Sequence, residues 1–198
     1  MISETLSFLA AEMNAYLNLK VMAATPDPRI IVGNIARAQD SASPAPGSIE
    51  DKGVLTLVNI EEDRTVRRQE TVVKTAATAR TKNPPILLNL YVLFSVNRSL
   101  YPDGLALLGH MVQFFQHQNH FTPLTHPGLD PRIEKLTVEL YTMTFEQVNH
   151  LWSVLGGKYL PSALYKVRQL TLDEGVFFGE SGLIREIRLD GNALGAIP

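Results

Sequence analysis

The sequence predicts an α/β fold of the α+β kind, a single mixed β-sheet with helices packed against it. Three observations carry this. Ile86 to Asn97 (ILLNLYVLFSVN) is apolar on both alternating faces, the mark of a strand flanked by neighbours and covered on both sides. Three further segments, Val54–Glu61, Leu136–Tyr141 and Ser162–Leu172, have strand length and strand composition. Between and around them lie segments with helical periodicity and readable start or stop signals.

The first helix follows from Leu6, Leu9, Met13 and Leu17 at helical spacing, widened by Ala10 and Tyr16. Ser3 is placed as its N-cap, and Glu4 sits where the first turn favours negative charge. Asp27-Pro28 breaks the pattern, and Arg29 to Ile35 reads as a short strand. Residues 36–53 turn to Ala, Ser, Pro and Gly, the composition of a surface loop. Val54 to Glu61 sets Val54, Thr56, Val58 and Ile60 against Leu55, Leu57, Asn59 and Glu61, and with apolar groups on both faces at its start it reads as a strand inside the sheet. Ile86 to Asn97 is the expected central strand. Leu88, Leu90, Val92, Phe94 and Val96 fill one of its faces, and Leu87, Tyr91 and Leu93 much of the other.

Pro102 suits the first turn of a second helix reaching about Asn119. Its expected stripe is Leu105, Leu108, Val112 and Phe115, broadened by Leu107, Met111 and Phe114. A Pro-rich turn, Thr122 to Pro131, leads into the strand Leu136–Tyr141. The third helix is announced by a capping box, Thr144 with Gln147, and a hydrophobic staple, Met143 with Val148. Val148, Leu151, Trp152 and Leu155 form its apolar face, which places Trp152 in the core, and Gly156-Gly157 ends it. Ser162 to Leu172 is the last clear strand. From Gly175 onward the chain is a loosely specified tail with a short alternating piece around Leu183 to Leu189.

A length of 198 residues fits one domain with room for an arm or tail. Net charge is -2, giving no global attraction to nucleic acid or to an anionic membrane. Cysteine is absent, which excludes disulfides and thiolate metal sites. Residues 1–20 lack the pattern of a secretory signal, and no stretch reaches the roughly 18 unbroken apolar residues of a membrane helix. The expectation is a chain that folds in the cytoplasm and does not insert into a membrane.

Nucleotide and nucleophile motifs are missing. Gly156-Gly157-Lys158 lacks the upstream glycine and the hydroxyl of a phosphate-binding loop, and Gly179-Glu-Ser-Gly182 is one residue short of a nucleophile elbow. Four of the five histidines fall between His110 and His126, which raises a metal-binding or hydrolytic site as an alternative function. His110 and His117 stand about 10 Å apart along a helix, too far to share one ion, and no carboxylate is interleaved at ligand spacing. The acidic run Glu61-Glu62-Asp63 reads as solvated charge.

Arg64 to Lys82 is the most uneven segment. It holds Arg64, Arg67, Arg68, Lys74, Arg80 and Lys82 against one acid, Glu70. It bridges two strong strands and is too long for an ordinary hairpin connection. It reads either as a solvated loop or as an arm that docks on an acidic partner surface. Nucleic acid fits poorly as that partner, because no aromatic is interleaved for stacking.

Several stretches together resemble a known family. They are Val58-Asn-Ile-Glu-Glu-Asp-Arg64, Leu88 to Asn97, Gly104 to Gln116, Leu136-Thr-Val-Glu-Leu140, and above all Glu146-Gln-Val-Asn-His-Leu-Trp-Ser-Val-Leu-Gly-Gly-Lys-Tyr-Leu-Pro161 continuing to Arg168. In order, over about residues 5–172, they are similar to the N-terminal domain of the tail-terminator (cap) proteins of phage-tail-like contractile injection systems. The resemblance implies a mixed sheet with packed helices like that of phage tail terminators. It implies a structural protein, with no catalytic site, cofactor or metal, that forms a six-fold ring, caps the inner tube and contacts the last sheath ring. The particle it implies is released or membrane-anchored after cytoplasmic assembly. Some members carry a longer C-terminal region than this sequence has.

The expected organisation is a terminator-like domain over residues 1–174, containing the loop 36–53 and the basic arm 62–84, and a tail over residues 175–198. The candidate partner interface comprises Arg64, Arg67, Arg68, Lys74, Arg80 and Lys82, with Tyr159 and Leu160 beyond the Gly-Gly hinge as a contact between copies. A monomeric interaction adaptor is the remaining alternative.

Overall fold

The computed structural model describes residues 1–20, 27–39, 48–64, 72–74, 78–83, 85–156, 158–172 and 177–182. They fall into two compact units: Met1–Val66 with Ile86–Leu172, and Arg67–Pro85 with Asp173–Pro198.

The larger unit is built on a six-stranded mixed sheet. In chain order its elements are helix α1 (Ile2–Lys20), strand β1 (Ile30–Val32), a 3-10 helix (Ile35–Gln39), β2 (Lys52–Glu62), β5 (Ile86–Asn97), α2 (Tyr101–His117), β6 (His120–Phe121), β7 (Leu136–Tyr141), α3 (Phe145–Val154) and β8 (Ser162–Leu172). The strand order is β1-β2-β5-β8-β7-β6. β1 runs parallel to β2, and every other pairing is antiparallel. β5 is paired along nearly its whole length on both sides, which is the central position its two apolar faces require.

Alternation along the strands divides the core into two clusters, one on each face of the sheet. On the first, Leu90, Val92, Phe94 and Val96 of β5 meet Leu9, Met13 and Leu17 of α1 and Leu107, Met111, Phe114 and Phe115 of α2. Phe94, Phe115 and Tyr165 form an edge-on aromatic group with ring centroids 4.9–5.2 Å apart. On the second face, Leu93, Val54 and Leu164 are covered by Trp152 of α3 and Ile35 of the 3-10 helix. Asn14 fastens α1 to the start of β1. Its Oδ1 accepts from the Arg29 and Ile30 N–H groups, and its Nδ2 donates to the Ile30 carbonyl at 2.7 Å.

The third helix starts as expected: Thr144 and Gln147 make both hydrogen bonds of the capping box. Gly156 follows its C-cap with φ +66°, a conformation glycine adopts at little cost. Two other local expectations are corrected. α1 begins at Ile2, so Ser3 lies inside the helix, and the N-terminal amine pairs with Glu4 instead. The buried stripe of α2 is Gly104, Leu107, Met111, Phe114 and Phe115, and Leu105 is left exposed. Gly104 lies on that stripe beside Val96 and Arg98, where a Cβ would stand in ordinary contact at 3.4 Å from each.

The expected strand Arg29–Ile35 shortens to β1 and ends in the 3-10 helix, and β2 extends to Lys52 within the expected loop. Residues 40–47 of that loop lie outside the described residues.

The second unit contains a three-stranded antiparallel sheet of β3 (Val72–Lys74), β4 (Thr78–Lys82) and β9 (Phe177–Gly182), in that order. Strands therefore stand where an arm and a tail were expected, and residues 67–85 group with 173–198 rather than following a division at residue 174. The alternating piece expected at Leu183 to Leu189 lies outside the described residues.

Candidate assembly surface

α3 has only ten residues, so it covers one part of the second sheet face. Where its cover ends, a cleft of about 370 Å³ is lined by Val58, Tyr91, Tyr141, Met143, Leu151 and Leu164, with Asn59, Glu61 and Gln147 at its polar side. The Tyr91 and Tyr141 rings meet edge to face at 5.3 Å. Beyond the cleft the same face becomes a lattice of charge. Tyr91 Oη donates to Glu61 Oε2 at 2.6 Å, Lys166 Nζ donates to the same oxygen at 3.0 Å, and Lys166 also lies 5.2 Å from the Tyr91 ring centroid. The Arg168 guanidinium lies 3.5 Å from Glu139 and 3.9 Å from Asp63. The Tyr91 hydroxyl and then Lys166 hold the Glu61 carboxyl below its ordinary range, and the bond to Glu61 pushes the Tyr91 phenol up. Exposed pairs of this kind are individually weak.

Large apolar groups surround α3 on the outside. Phe145 is 96% exposed, Tyr159 63%, and Val154 is also exposed. Trp152, at 6%, is core, as its place on the helix stripe required. Tyr159 stands edge-on to it at 5.8 Å, and Leu160 packs half-buried against the same cluster. Tyr159 thus offers a surface ring anchored on a buried one.

The basic candidates are divided. Arg64 is exposed beyond β2 and its Nε donates to Glu62 at 2.9 Å. Arg67 and Arg68 lie outside the described residues. Lys74 belongs to β3, and Arg80 and Lys82 to β4, where the register sets Arg80 opposite Glu180 of β9.

The histidines scatter. His117 is exposed at the end of α2, His120 shares a hydrogen bond with Thr137 at 3.2 Å, and His126 lies 4.0 Å from Glu12 with its ring against Phe8 and Phe121. His110 lines a separate polar cleft of about 540 Å³ that also holds Arg98, Asp103 and the Lys52–Asp27 ion pair. In that cleft Asp51 accepts from the Ser99 N–H and hydroxyl, which hold its carboxyl below the ordinary range. Among the described residues, no three His, Asp or Glu side chains are grouped to hold a metal ion, and no helix is long and apolar enough to cross a membrane.

The Glu61–Tyr91–Lys166 group was not legible in the sequence, since its members come from three strands and Glu61 is 105 positions from Lys166. Phe145 was equally hidden, because a large apolar residue at a helix start has no periodic signal of exposure.

The Pvc16 N-terminal domain family matches residues 4–186. Among solved structures, the chain is similar to the PVC sheath/tube terminator of an extracellular contractile injection system in its extended state. The TM-score is 0.67 at 12% identity, with 100% of this chain and 65% of that one covered. It is also similar to the tube-terminating cap of the anti-feeding prophage, with a TM-score of 0.53 at 14% identity, covering 90% of this chain and 58% of that one. The chain spans less than two thirds of the length of either. No curated protein matches it by sequence. The mixed sheet with packed helices is therefore the fold of these terminators.

Proposed function

The chain belongs to the Pvc16 N-terminal domain family, and from that premise we propose that it is a structural, non-enzymatic subunit that caps the end of the inner tube and sheath of a contractile injection system. The supporting observation is the family match over residues 4–186, joined to a fold shared with two caps of such particles. A capping subunit works through repeated surface contacts. A ring requires heterologous interfaces made of patches rather than a pocket of convergent catalytic groups. The exposed Phe145, Val154 and Tyr159 around a firmly packed α3 are suited to such contacts.

Within this role the protein forms a homo-oligomeric ring, six-fold to match the tube, and touches both the last tube ring and the last sheath ring. The particle acts outside the cell that makes it. The basic residues Arg64, Arg67, Arg68, Lys74, Arg80 and Lys82 serve docking on acidic neighbours, and Tyr159 with Leu160 serves contact between copies.

Light scattering on the purified chain, with electron microscopy of particles from producing cells lacking it, tests the proposal. Capping predicts a ring-sized mass, free or at tube ends, and tubes and sheaths of uncontrolled length when the chain is missing. A protein that stays monomeric both free and at tube or sheath ends, with particle lengths unchanged by its loss, overturns it.

A further inference from the structure

We propose that copies of this chain join edge to edge, the outer edge of β7 in one pairing antiparallel with the outer edge of β2 in the next, with Leu140 opposite Ile60. This rests on the ring-forming role above and assigns its contact.

The two edges are open at matching places. β1 covers β2 only at Gly53–Leu55. The Asp63 N–H donates to the Leu87 carbonyl at 2.8 Å, so by alternation Asn59 and Glu61 aim their backbone groups at β5, and Ile60 and Glu62 aim theirs outward. At the other end of the sheet, β6 covers β7 only at Leu136 and Thr137, and the Val138 N–H donates to the Asn119 carbonyl at 2.9 Å. Val138 and Leu140 therefore aim away from β8. Among the described residues, the outward groups of Ile60, Glu62 and Leu140 have no backbone partner.

Polarity, face and height agree with pairing between these edges. Three antiparallel steps separate β2 from β7, so the two strands run in opposite directions, as an antiparallel ladder between identically oriented copies needs. Ile60 is opposite Leu90 and Leu140 is opposite Tyr165, both on the face that carries α1 and α2. Ile60 and Leu140 thus lie on one face, and both are exposed, at 44% and 57%. Setting them opposite each other covers two apolar side chains and pairs two sets of backbone groups at once. Leu140 stands level with Val92 and Ile60 level with Leu90, an offset of two residues along the sheet. A stagger is what tilted strands require when a sheet closes on itself. The same register sets Glu139 directly opposite Glu61, a like-charge pair whose repulsion is offset because each carboxylate is already paired with a cation, Arg168 and Lys166 respectively.

The absence of cysteine allows a direct test in the full chain. Directly opposed residues in an antiparallel ladder fall within disulfide reach. Under mild oxidation the double variant Ile60→Cys with Leu140→Cys should give a ladder of covalent multimers that collapses on reduction. The pair Asn59→Cys with Tyr141→Cys, in the same register on the other face, should do the same. Either single variant, or Ile60→Cys with Tyr141→Cys on opposite faces, should not. Circular dichroism checks that each variant is folded. Rings seen by mass or on particle ends without links from either matched pair overturn the edge contact and leave the capping role standing. Links from a single variant also overturn it, since they mark a two-fold contact. Failure to form any oligomer, free or on particles, removes both.

Discussion

Glu61 joins three strands through one oxygen. It sits near the end of β2, takes the Tyr91 hydroxyl from β5 and the Lys166 ammonium from β8, and its carboxyl titrates below the ordinary 4.5 as a result. A lowered folded-state pKa means that the unfolded chain binds the proton more readily. The stability Glu61 contributes is therefore fully present above about pH 4.5 and is lost as pH falls through the folded value. In Glu61→Gln the melting temperature should lie below that of the wild type by a constant amount from neutral pH down to about pH 5.5, and the gap should narrow as pH drops further. A gap independent of pH, followed by thermal melts in buffers from pH 7 to pH 3, would mean that the ion pair and hydrogen bond contribute nothing. Position 61 carried no sign of this in the sequence. Its acidic run reads as solvated charge, and Glu61 and Glu62 are exposed while Asp63 is largely covered; the partners that order Glu61 come from strands 30 and 105 positions away.

At the scale of elements, α3 is the piece whose own residues specify it most completely. The Thr144 hydroxyl accepts from the Gln147 N–H at 3.3 Å, and the Gln147 side chain accepts from the Thr144 N–H at 2.9 Å. Thr144→Ala should lower stability by about 1 kcal/mol, which for a chain of this size is a fall of about 2–4 °C in melting temperature. An unchanged melting curve would place the start of the helix elsewhere. The same locality explains which elements could be read in advance. β5, β7 and β8 fall where the sequence places them, because each has a full length of alternating or continuous apolar residues. β3, β4 and β9 carry no such pattern. TARTK and FFGESG become strands only because they pair with each other across nearly a hundred residues of chain, a non-local event that no window of sequence contains. The stripe of α2 was misread for a related reason. Periodicity allowed several rotations, and the packing of Leu107, Met111, Phe114 and Phe115 into the core selected one.

For the whole molecule, the unevenness of the sequence lies in its charge. The segment Arg64 to Lys82 concentrates six cations against one acid. Arg67, Arg68, Lys74, Arg80 and Lys82 all belong to the second unit, whose C-terminal part, Asp173–Pro198, adds the acids Asp173, Glu174, Glu180, Glu186 and Asp190 and the cations Arg185 and Arg188. The register sets one of those acids, Glu180, opposite Arg80. Arg64, exposed beyond β2 in the larger unit, heads the docking candidates, followed along the chain by Arg67 and Arg68. Arg64 pairs with an exposed Glu62, and water and salt screen such a pair readily. Complementary charge of this kind mainly speeds and orients docking, so its loss should appear in assembly before it appears in folding. Changing Arg64, Arg67 and Arg68 together to Glu should leave the circular dichroism spectrum and melting temperature close to those of the wild type. The same variant should fail to cap, giving tubes and sheaths of abnormal length in electron micrographs. Attachment of the wild-type chain to particle ends should weaken as salt rises, because exposed charges are screened over about 8 Å at physiological ionic strength. Reversal of Lys74, Arg80 and Lys82 should act in the opposite order, disturbing the three-stranded sheet first and assembly only through it. Normal particle lengths from the first triple variant would reduce its three arginines to solvated charge and move the docking surface to the apolar groups around α3.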